Sequence, residues 1–461
     1  MIWKKITINR SRIKPVRIIP VSFIFVILIG ALLLMLPCSS ASGERTDFLT
    51  ALFTATTSIC VTGLVVVDTY SHWSLFGQFV ILMLIQIGGL GVVAVGSMIM
   101  VISKKKFFLH VRMLLGDSLN LDTKGEVLFF LTRMFKGVFI VETAGAALCA
   151  VKFIPMLGIA KGLWASLFQS VSAFCNAGMD VVGPNSMIDL RSSNILMYTT
   201  MILIVLGGVG FVVWFDCVGA ISYGIRHRFS PARIVSRLPE HTKIALMMTL
   251  GLILFGTVCV FAAEYNNPDT LGGMSLYDKV LNALFQSVTF RTAGFASVPQ
   301  EKLTEISCMA GYVLMFIGGS PVGTSGGIKT VTAFLFFMNA YSYINGKKEN
   351  VVFHKRVPED QMRKASAIVF YSLLTVFVMT LLLMSRGGIK HTDALYEVLS
   401  ALGTVGLSRN LTPHLDSMGR IIIIISMYLG RIGPISMILF FTKGRGSENA
   451  LQHADGKFYV G

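Results

Sequence analysis

Apolar residues run through the chain in long stretches separated by short polar segments, most of them basic. A bilayer crossing needs about 20 apolar residues. Eight stretches reach that scale: approximately Ile18 to Pro37, Trp73 to Ile102, Val127 to Leu157, Asn194 to Tyr223, Ile244 to Ala263, Cys308 to Tyr343, Ala365 to Ser385 and Arg420 to Phe441. Between each odd stretch and the even one after it lies an amphipathic run too short to cross, at Asp47 to Thr57, Gly162 to Ser172, Leu276 to Thr289 and Thr392 to Ala401. Each run ends in small polar residues and is followed by a glycine loop: Val61-Thr62-Gly63, Asn176-Ala177-Gly178, Thr292-Ala293-Gly294 and Thr404-Val405-Gly406. The four glycines are 115, 116 and 112 residues apart, and self-similarity at a fixed period marks a repeated architecture.

The predicted unit is span, half-helix, glycine loop, span, written four times in one orientation. The even spans carry a second repeat, Gly88-Gly89-Leu90-Gly91, Gly207-Gly208-Val209-Gly210, Gly318-Gly319-Ser320-Pro321-Val322-Gly323 and Gly430-Arg431-Ile432-Gly433-Pro434. These begin 25, 29, 24 and 24 residues after the loop glycine of their unit. The fold class expected from this pattern is therefore all-α integral membrane, with eight transmembrane helices in four like-oriented repeats. The expected divisions are a basic N-terminal arm at 1–17, repeats at 18–105, 106–225, 226–345 and 346–443, and a C-terminal tail at 444–461.

Composition agrees with a membrane protein. Only 14% of the 461 residues are charged and 54% are apolar, where a soluble protein has roughly a quarter charged; mean hydropathy is +0.70. A net charge of +16 could suggest nucleic acid, but its distribution does not. The cations fall in blocks between spans: Lys4, Lys5, Arg10, Arg12, Lys14 and Arg17; Lys104, Lys105, Lys106 and Arg112; Arg226, Arg228, Arg233 and Arg237; Lys347, Lys348, Lys355, Arg356, Arg363 and Lys364. Cytoplasmic loops carry such an excess, so both termini are expected in the cytoplasm and all four glycine loops at the outer face. The first stretch ends in Leu36-Pro37-Cys38 without a small-residue cleavage site, and is expected to be a retained span. Seven cysteines lack metal-ligand spacing and are expected to be buried thiols.

A cation entering a bilayer must exchange water oxygens for others, and converging backbone carbonyls can supply them. The dihedrals this requires suit glycine, and irregular backbone at membrane depth survives only where protein or a wet cavity shelters it. Thr404-Val405-Gly406 reproduces the Thr-Val-Gly triplet of K⁺-channel filters. Each glycine alone is equally compatible with a turn or a helix C-cap; four in one topological setting point to a filter. Cys60, Cys175 and Phe290 are expected to pack around it. Arg291 either braces the loops through carbonyls or repels cations, and bracing fits conduction better.

The sixth span is interrupted by Gly318-Gly319-Ser320-Pro321-Val322-Gly323-Thr324-Ser325-Gly326-Gly327-Ile328-Lys329-Thr330. Proline removes a backbone donor and glycine weakens a helix, so an intramembrane loop is predicted below the filter. Small residues could serve tight packing or a movable plug; the length of the run favours the plug. Arg431 replaces the glycine found at Gly89, Gly208 and Gly319. A charge inside a span is costly, and its expected partners are loop carbonyls and hydroxyls or a carboxylate, Glu142 or Asp216. Lys329 is expected to snorkel to the cytoplasmic surface. The predicted gate comprises Gly318, Gly319, Ser320, Pro321, Gly323, Thr324, Ser325, Gly326, Gly327, Lys329 and Arg431.

With these loops, the run Ser287-Val288-Thr289-Phe290-Arg291-Thr292-Ala293-Gly294, the segment ending Gly326-Gly327-Ile328-Lys329-Thr330 and the arginine at Arg431, the chain resembles the superfamily of K⁺ transporters that includes Trk, Ktr and the plant HKT proteins. It is most similar to the Ktr membrane subunit, since the extra N-terminal pair of spans usual in Trk-type chains is missing. The resemblance implies that the eight transmembrane helices form four pseudo-symmetric membrane-pore-membrane repeats around one pore per chain, with a homodimer in the bacterial plasma membrane and a cytoplasmic RCK-type nucleotide-binding regulatory ring as partner. It also implies K⁺ as the transported ion, with Na⁺ as a coupling or activating ion. Glycine at all four filter positions resembles K⁺-selective members; a serine in the first loop is associated with Na⁺-preferring plant relatives. The second and fourth loops, Asn-Ala-Gly-Met and Thr-Val-Gly-Leu, depart from the family pattern beside their glycines.

Two other mechanisms share parts of this pattern. A secondary symporter with alternating access also uses broken helices, but such folds favour inverted repeats and midplane carboxylates, and these repeats are parallel. A K⁺-pump subunit of the Kdp type shares the architecture and would require an ATPase partner. An enzyme is not expected: the chain has no phosphate-binding Gly-x-x-x-x-Gly-Lys-Ser/Thr motif and no His/Cys metal cluster.

Overall fold

The computed structural model describes residues 15–102, 127–347 and 349–433. The basic arm through Lys14, the cations at Lys104 to Lys106, Arg112 and Lys348, Pro434, the end of the last apolar stretch and the tail at 444–461 lie outside the described residues. The chain is a multi-pass helical membrane protein built from α1 (Pro15–Leu34), α2 (Phe48–Ile59), α3 (Leu75–Leu90), α4 (Val92–Ile102), α5 (Val127–Leu157), α6 (Ile159–Cys175), α7 (Asn194–Val209), α8 (Phe211–Arg226), α9 (Glu240–Glu264), α10 (Leu276–Phe290), α11 (Glu305–Phe316), α12 (Thr330–Ile344), α13 (Glu359–Met384), α14 (His391–Gly403) and α15 (Ser417–Ile432). Among the described residues, α5, α9 and α13 are each long and apolar enough to cross a bilayer, and the bent pairs α3–α4 and α7–α8 each qualify together as a broken span.

Local chemistry sets the helix starts. The Asp47 carboxylate accepts from the Leu49 and Thr50 amides ahead of α2, and Ser74, Ser275, Thr304 and Asp416 cap α3, α10, α11 and α15 through the first-turn amides of Gly77, Asp278, Ser307 and Gly419. Such caps satisfy donors that a helix start leaves orphaned. α5 turns directly into α6 at Gly158, whose φ is 82°. The turn is tight enough that a Cβ on Gly162 would lie 2.7 Å from the Ile154 Cα.

The second and fourth apolar stretches are not continuous helices. α3 meets α4 at 98° and α7 meets α8 at 100°, around Gly91 with φ 92° and Gly210 with φ 97°. α15 likewise ends at Gly433, φ 87°. A left-handed residue ends an α-helix, and glycine adopts that conformation without a steric penalty. The interruption between α11 and α12 is thus the longest of three breaks among the described residues, one in each of the first three even stretches.

A glycine just before the end of each of α3, α7 and α15 has its own physical reason. A Cβ on Gly88 would run into the Ile59 carbonyl, one on Gly207 into the Phe174 carbonyl, and one on Gly430 into the Leu402 carbonyl. Each is the close approach of an even helix to the end of its own unit's half-helix, the packing that small residues permit. Cys60, Cys149, Cys175 and Cys308 are buried as expected, whereas Cys38 is exposed because it lies in the short turn that follows α1.

α9 is tied to α11 by the buried Glu264. Its carboxylate accepts from the Thr304 amide at 2.9 Å, the Thr304 hydroxyl at 2.7 Å, the Ser307 hydroxyl at 2.5 Å, the Thr270 hydroxyl at 2.7 Å and the Asn267 amide nitrogen at 2.7 Å. Removing an acceptor leaves its buried donors unpaired, at 1–3 kcal/mol per group. Glu264→Ala should therefore lower stability by roughly 2–4 kcal/mol and Glu264→Gln by less, read as the thermal midpoint of monodisperse protein in detergent.

Candidate functional site

The half-helices α2, α6, α10 and α14 all stop at the glycine loops. Gly63, Gly178, Gly294 and Gly406 have φ of 97°, 64°, 84° and 95°, and each is packed against the loop of another unit. A Cβ on Gly178 would lie 2.7 Å from the Ala293 carbonyl oxygen and 2.6 Å from the Gly294 Cα. One on Gly294 would lie 2.6 Å from the Val405 carbonyl oxygen. One on Gly406 would run into the Thr62 carbonyl and lie 3.0 Å from the Gly63 Cα, and one on Gly63 would run into the Ala177 carbonyl. The contacts run 63 to 178 to 294 to 406 and back to 63, a closed ring in chain order.

The carbonyls of Thr62, Ala177, Ala293 and Val405 accept no hydrogen bond among the described residues. Their own amides are folded back onto the half-helices: Thr62 to the Thr57 carbonyl at 2.8 Å, Ala177 to Ser172 at 2.8 Å, Ala293 to Thr289 at 3.0 Å and Val405 to Ser400 at 2.7 Å. Donors thus face away while acceptors stay free, which suits a cation and no anion. The C-terminal ends of four half-helices converge here, and a helix C-terminus carries roughly half a negative charge. Two residues before each glycine the backbone is again left-handed, at Val61, Asn176, Thr292 and Thr404. The Thr292 and Thr404 hydroxyls are buried without a partner. Outside the ring, Asp180 is buried, and that burial pushes its carboxyl up to about 6 against hydrogen bonds from the Ser186 side chain and the Val182 backbone.

Four hydroxyls hold the loops and were missed by the sequence reading. The Gly63 amide donates to Thr57 Oγ1 at 2.9 Å, the Gly406 amide to Ser400 Oγ at 3.0 Å and the Met179 amide to Ser172 Oγ at 3.1 Å, while Thr289 Oγ1 donates to the Phe295 carbonyl at 2.7 Å. The signal was a hydroxyl five or six residues ahead of every loop glycine.

The segment between α11 and α12 lies against one side of this ring. A Cβ on Gly326 would meet Thr404 Oγ1, and one on Gly318 would lie 3.1 Å from Thr292 Cγ2. Ser325 Oγ donates to the Asn176 amide oxygen at 2.5 Å, the orientation in which the Asn176 nitrogen reaches the Ala173 and Ile204 carbonyls. The segment has a neck and a head. At the neck, Gly318 N donates to Ile328 O, Ile328 N to Phe316 O and Thr330 N to Gly319 O, each at 3.0 Å. At the head, Ser320 N and Thr324 N donate to the Gly208 and Gly207 carbonyls at 2.8 and 3.1 Å, and Phe211 N donates to Val322 O at 3.0 Å. The head therefore satisfies the backbone groups that the break between α7 and α8 leaves open, and Gly210 is packed against the Pro321 carbonyl.

Arg431 donates from Nη1 to the Thr324 carbonyl and from Nη2 to the Gly88 carbonyl. Of its two expected kinds of partner, carbonyls are the ones it has. Glu142 instead accepts from Gln86 at 3.1 Å, and Asp216 accepts from the Thr242 hydroxyl. Lys329 does not snorkel outward; its ammonium turns back to the Ser325 carbonyl, the nearest acceptor to a chain that enters α12 at that point. Arg291 is buried and donates to the Gly318 carbonyl at 3.3 Å and Thr249 Oγ1 at 3.5 Å, so it contacts the neck. Cys60, Cys175 and Phe290 are fully buried around the loops.

Comparison with known proteins adds to this geometry. Residues 4–452 match the family model described as TrkH, cation transport protein. The chain is 36% identical to the potassium/sodium uptake protein NtpJ of Enterococcus hirae, over 98% of each chain. It is also 36% identical to the Ktr system potassium uptake protein B of Bacillus subtilis, over 98% of this chain and 97% of that one. The fold is similar to the crystal structure of the potassium transporter TrkH from Vibrio parahaemolyticus, with a TM-score of 0.70 at 16% identity, covering 94% of this chain and 86% of the other.

Losing one neutral hydrogen bond costs about 1 kcal/mol, enough to loosen a loop without unfolding the chain. Ser400→Ala should weaken discrimination between monovalent cations several-fold while Ser400→Thr retains it, measured as competition by unlabelled cations for tracer uptake into proteoliposomes.

Proposed function

The chain belongs to the TrkH family of cation transport proteins, and from that premise we propose that it takes up K⁺ across the bacterial plasma membrane through a channel-like pore; a transporter family, not an enzyme family, is its setting. The observation that carries this reading is the closed ring of Gly63, Gly178, Gly294 and Gly406 with its unbonded carbonyls. Val61, Thr62, Asn176, Ala177, Thr292, Ala293, Thr404 and Val405 complete the selectivity filter. Carbonyl oxygens replace the ion's hydration shell, and the helix C-termini behind them lower the cost of bringing a positive charge to that depth.

Eight transmembrane helices in four membrane-pore-membrane units, divided as 18–105, 106–225, 226–345 and 346–443 with both termini cytoplasmic, form the architecture of this proposal. Its support is the recurrence of half-helix and glycine loop four times and of a broken helix in the first three even stretches. The gate is the loop from Gly318 to Lys329 together with Arg431, supported by the hydrogen bonds that hold its head beneath the ring. The assembly we propose is a Ktr-type homodimer on a cytoplasmic RCK-type nucleotide-binding ring, with Na⁺ as a coupling or activating ion; the names of relatives as a Ktr system protein and as a potassium/sodium uptake protein support a Ktr system partner and a role for Na⁺.

Expression should restore growth of a K⁺-uptake-deficient bacterium at low K⁺. Gly63→Ser places a side chain against the Ala177 carbonyl at positive φ and should lower K⁺ over Na⁺ preference by tenfold or more, on the scale of one displaced charged contact. Unchanged selectivity in well-expressed Gly63→Ser and Gly294→Ser proteins would refute the filter. Deleting residues 319–325 should raise K⁺ flux in proteoliposomes, and an unchanged rate in folded protein would exclude the loop as a gate.

A further inference from the structure

Among the described residues, Arg291 is a buried cation that directly precedes a segment of the ring. It caps α10 through its amide, which donates to the Val288 carbonyl at 3.2 Å, and the next three residues are Thr292, Ala293 and Gly294 of the ring. Its side chain is 93% buried yet has no carboxylate partner among the described residues. Its two hydrogen bonds, to Gly318 O and Thr249 Oγ1, are long at 3.3 and 3.5 Å, and its Nε has none. Together with Ser325 it lines a small cavity closed by Ile204, Val205, Gly208 and Val288. The guanidinium therefore touches the neck of the loop on one side and a void bordered by the head on the other. The Gly318 backbone also approaches Thr292 directly.

We propose that Arg291 is a positioning residue that couples the third filter segment to the intramembrane loop, so that the position of the loop and the shape of the filter at Thr292 to Gly294 change together. The inference rests on the filter and gate reading given above. A buried cation holds its geometry only while its few acceptors stay in place. Displacing the loop moves Gly318 O, and the guanidinium is joined to Thr292 through its own backbone. Coupling of this kind is reciprocal, so an ion in the filter biases the loop as the loop biases the filter. Arg431, which holds the head through the Thr324 carbonyl, has no such connection to a filter segment in chain sequence.

The test is a double-mutant comparison in proteoliposomes containing the purified chain, read as K⁺ flux and as the K⁺ over Na⁺ ratio. Arg291→Gln and Arg291→Lys are each made in the intact chain and in the chain lacking residues 319–325. With the loop present, Arg291→Gln should raise basal flux and lower the ratio, both by roughly tenfold, the scale of losing a hydrogen bond from a charged donor. With the loop absent, it should change neither further. Arg291→Lys, which keeps the charge and loses the fork, should give the same pattern in smaller measure and controls for folding. An equal fall in the ratio in both backgrounds would make Arg291 a brace of the filter alone and overturn the coupling, as would unchanged flux with the loop intact. If the unsubstituted chain carries K⁺ and loop deletion raises its flux while the Arg291 variants behave in either of those ways, the coupling fails and the pore reading survives.

Discussion

Every loop glycine of this protein is in contact with a carbonyl that belongs to another unit, and there is no room between them for a methyl group. Gly63 lies on Ala177, Gly178 on Ala293, Gly294 on Val405 and Gly406 on Thr62. Because the contacts close on themselves, no loop can adopt its conformation alone. The backbone at each glycine is left-handed and the carbonyl before it meets the glycine of the preceding loop around the ring, while the hydroxyls of Thr57, Ser172, Thr289 and Ser400 keep the loops folded over the half-helix ends. The same economy of space repeats one layer out, where Gly88, Gly207 and Gly430 let even helices press on half-helix carbonyls. A ring built from backbone alone, with donors turned away, owes its geometry to this outer packing.

The loop between α11 and α12 belongs to the third unit but is held by the others. Its head bonds to Gly207 and Gly208 of the second unit, and Arg431 of the fourth ties Thr324 to Gly88 of the first. Its neck, by contrast, is closed by three bonds among its own residues. The head can therefore change partners without unravelling α11 or α12. This division separates the part that would move from the part that keeps the helices in register.

Much of this could be read from the chain. The period of the loop glycines located all four half-helices, because each glycine is required by a contact that recurs in every unit; α5 begins and ends at the residues its apolar pattern marked. The breaks at Gly91 and Gly210 were not recognised, since a short glycine cluster inside an apolar run looks the same whether it packs a straight helix or turns one through a right angle. Carbonyls were among the partners expected of Arg431, but which carbonyls was hidden for a related reason, as was the partner of Lys329. Both cations bond to backbone carbonyls, and a carbonyl leaves no mark in a sequence. The four loop hydroxyls were visible as letters at constant offset, but only the folded-back amides give them a purpose.

At the break between α7 and α8, among the described residues, the Gly207 and Gly208 carbonyls and the Phe211 amide are satisfied by the head of the loop alone. Backbone groups in a bilayer interior cannot be left bare, so on the proposed gating the head cannot leave without water taking its place. Opening is then a hydration event as much as a displacement. The pore wets at the second unit's break as it unblocks, and the free energy of transferring a few waters to that break becomes part of the gating equilibrium. Osmotic stress and the polarity of residues lining the break would thereby act on conductance from a point that no permeating ion needs to touch.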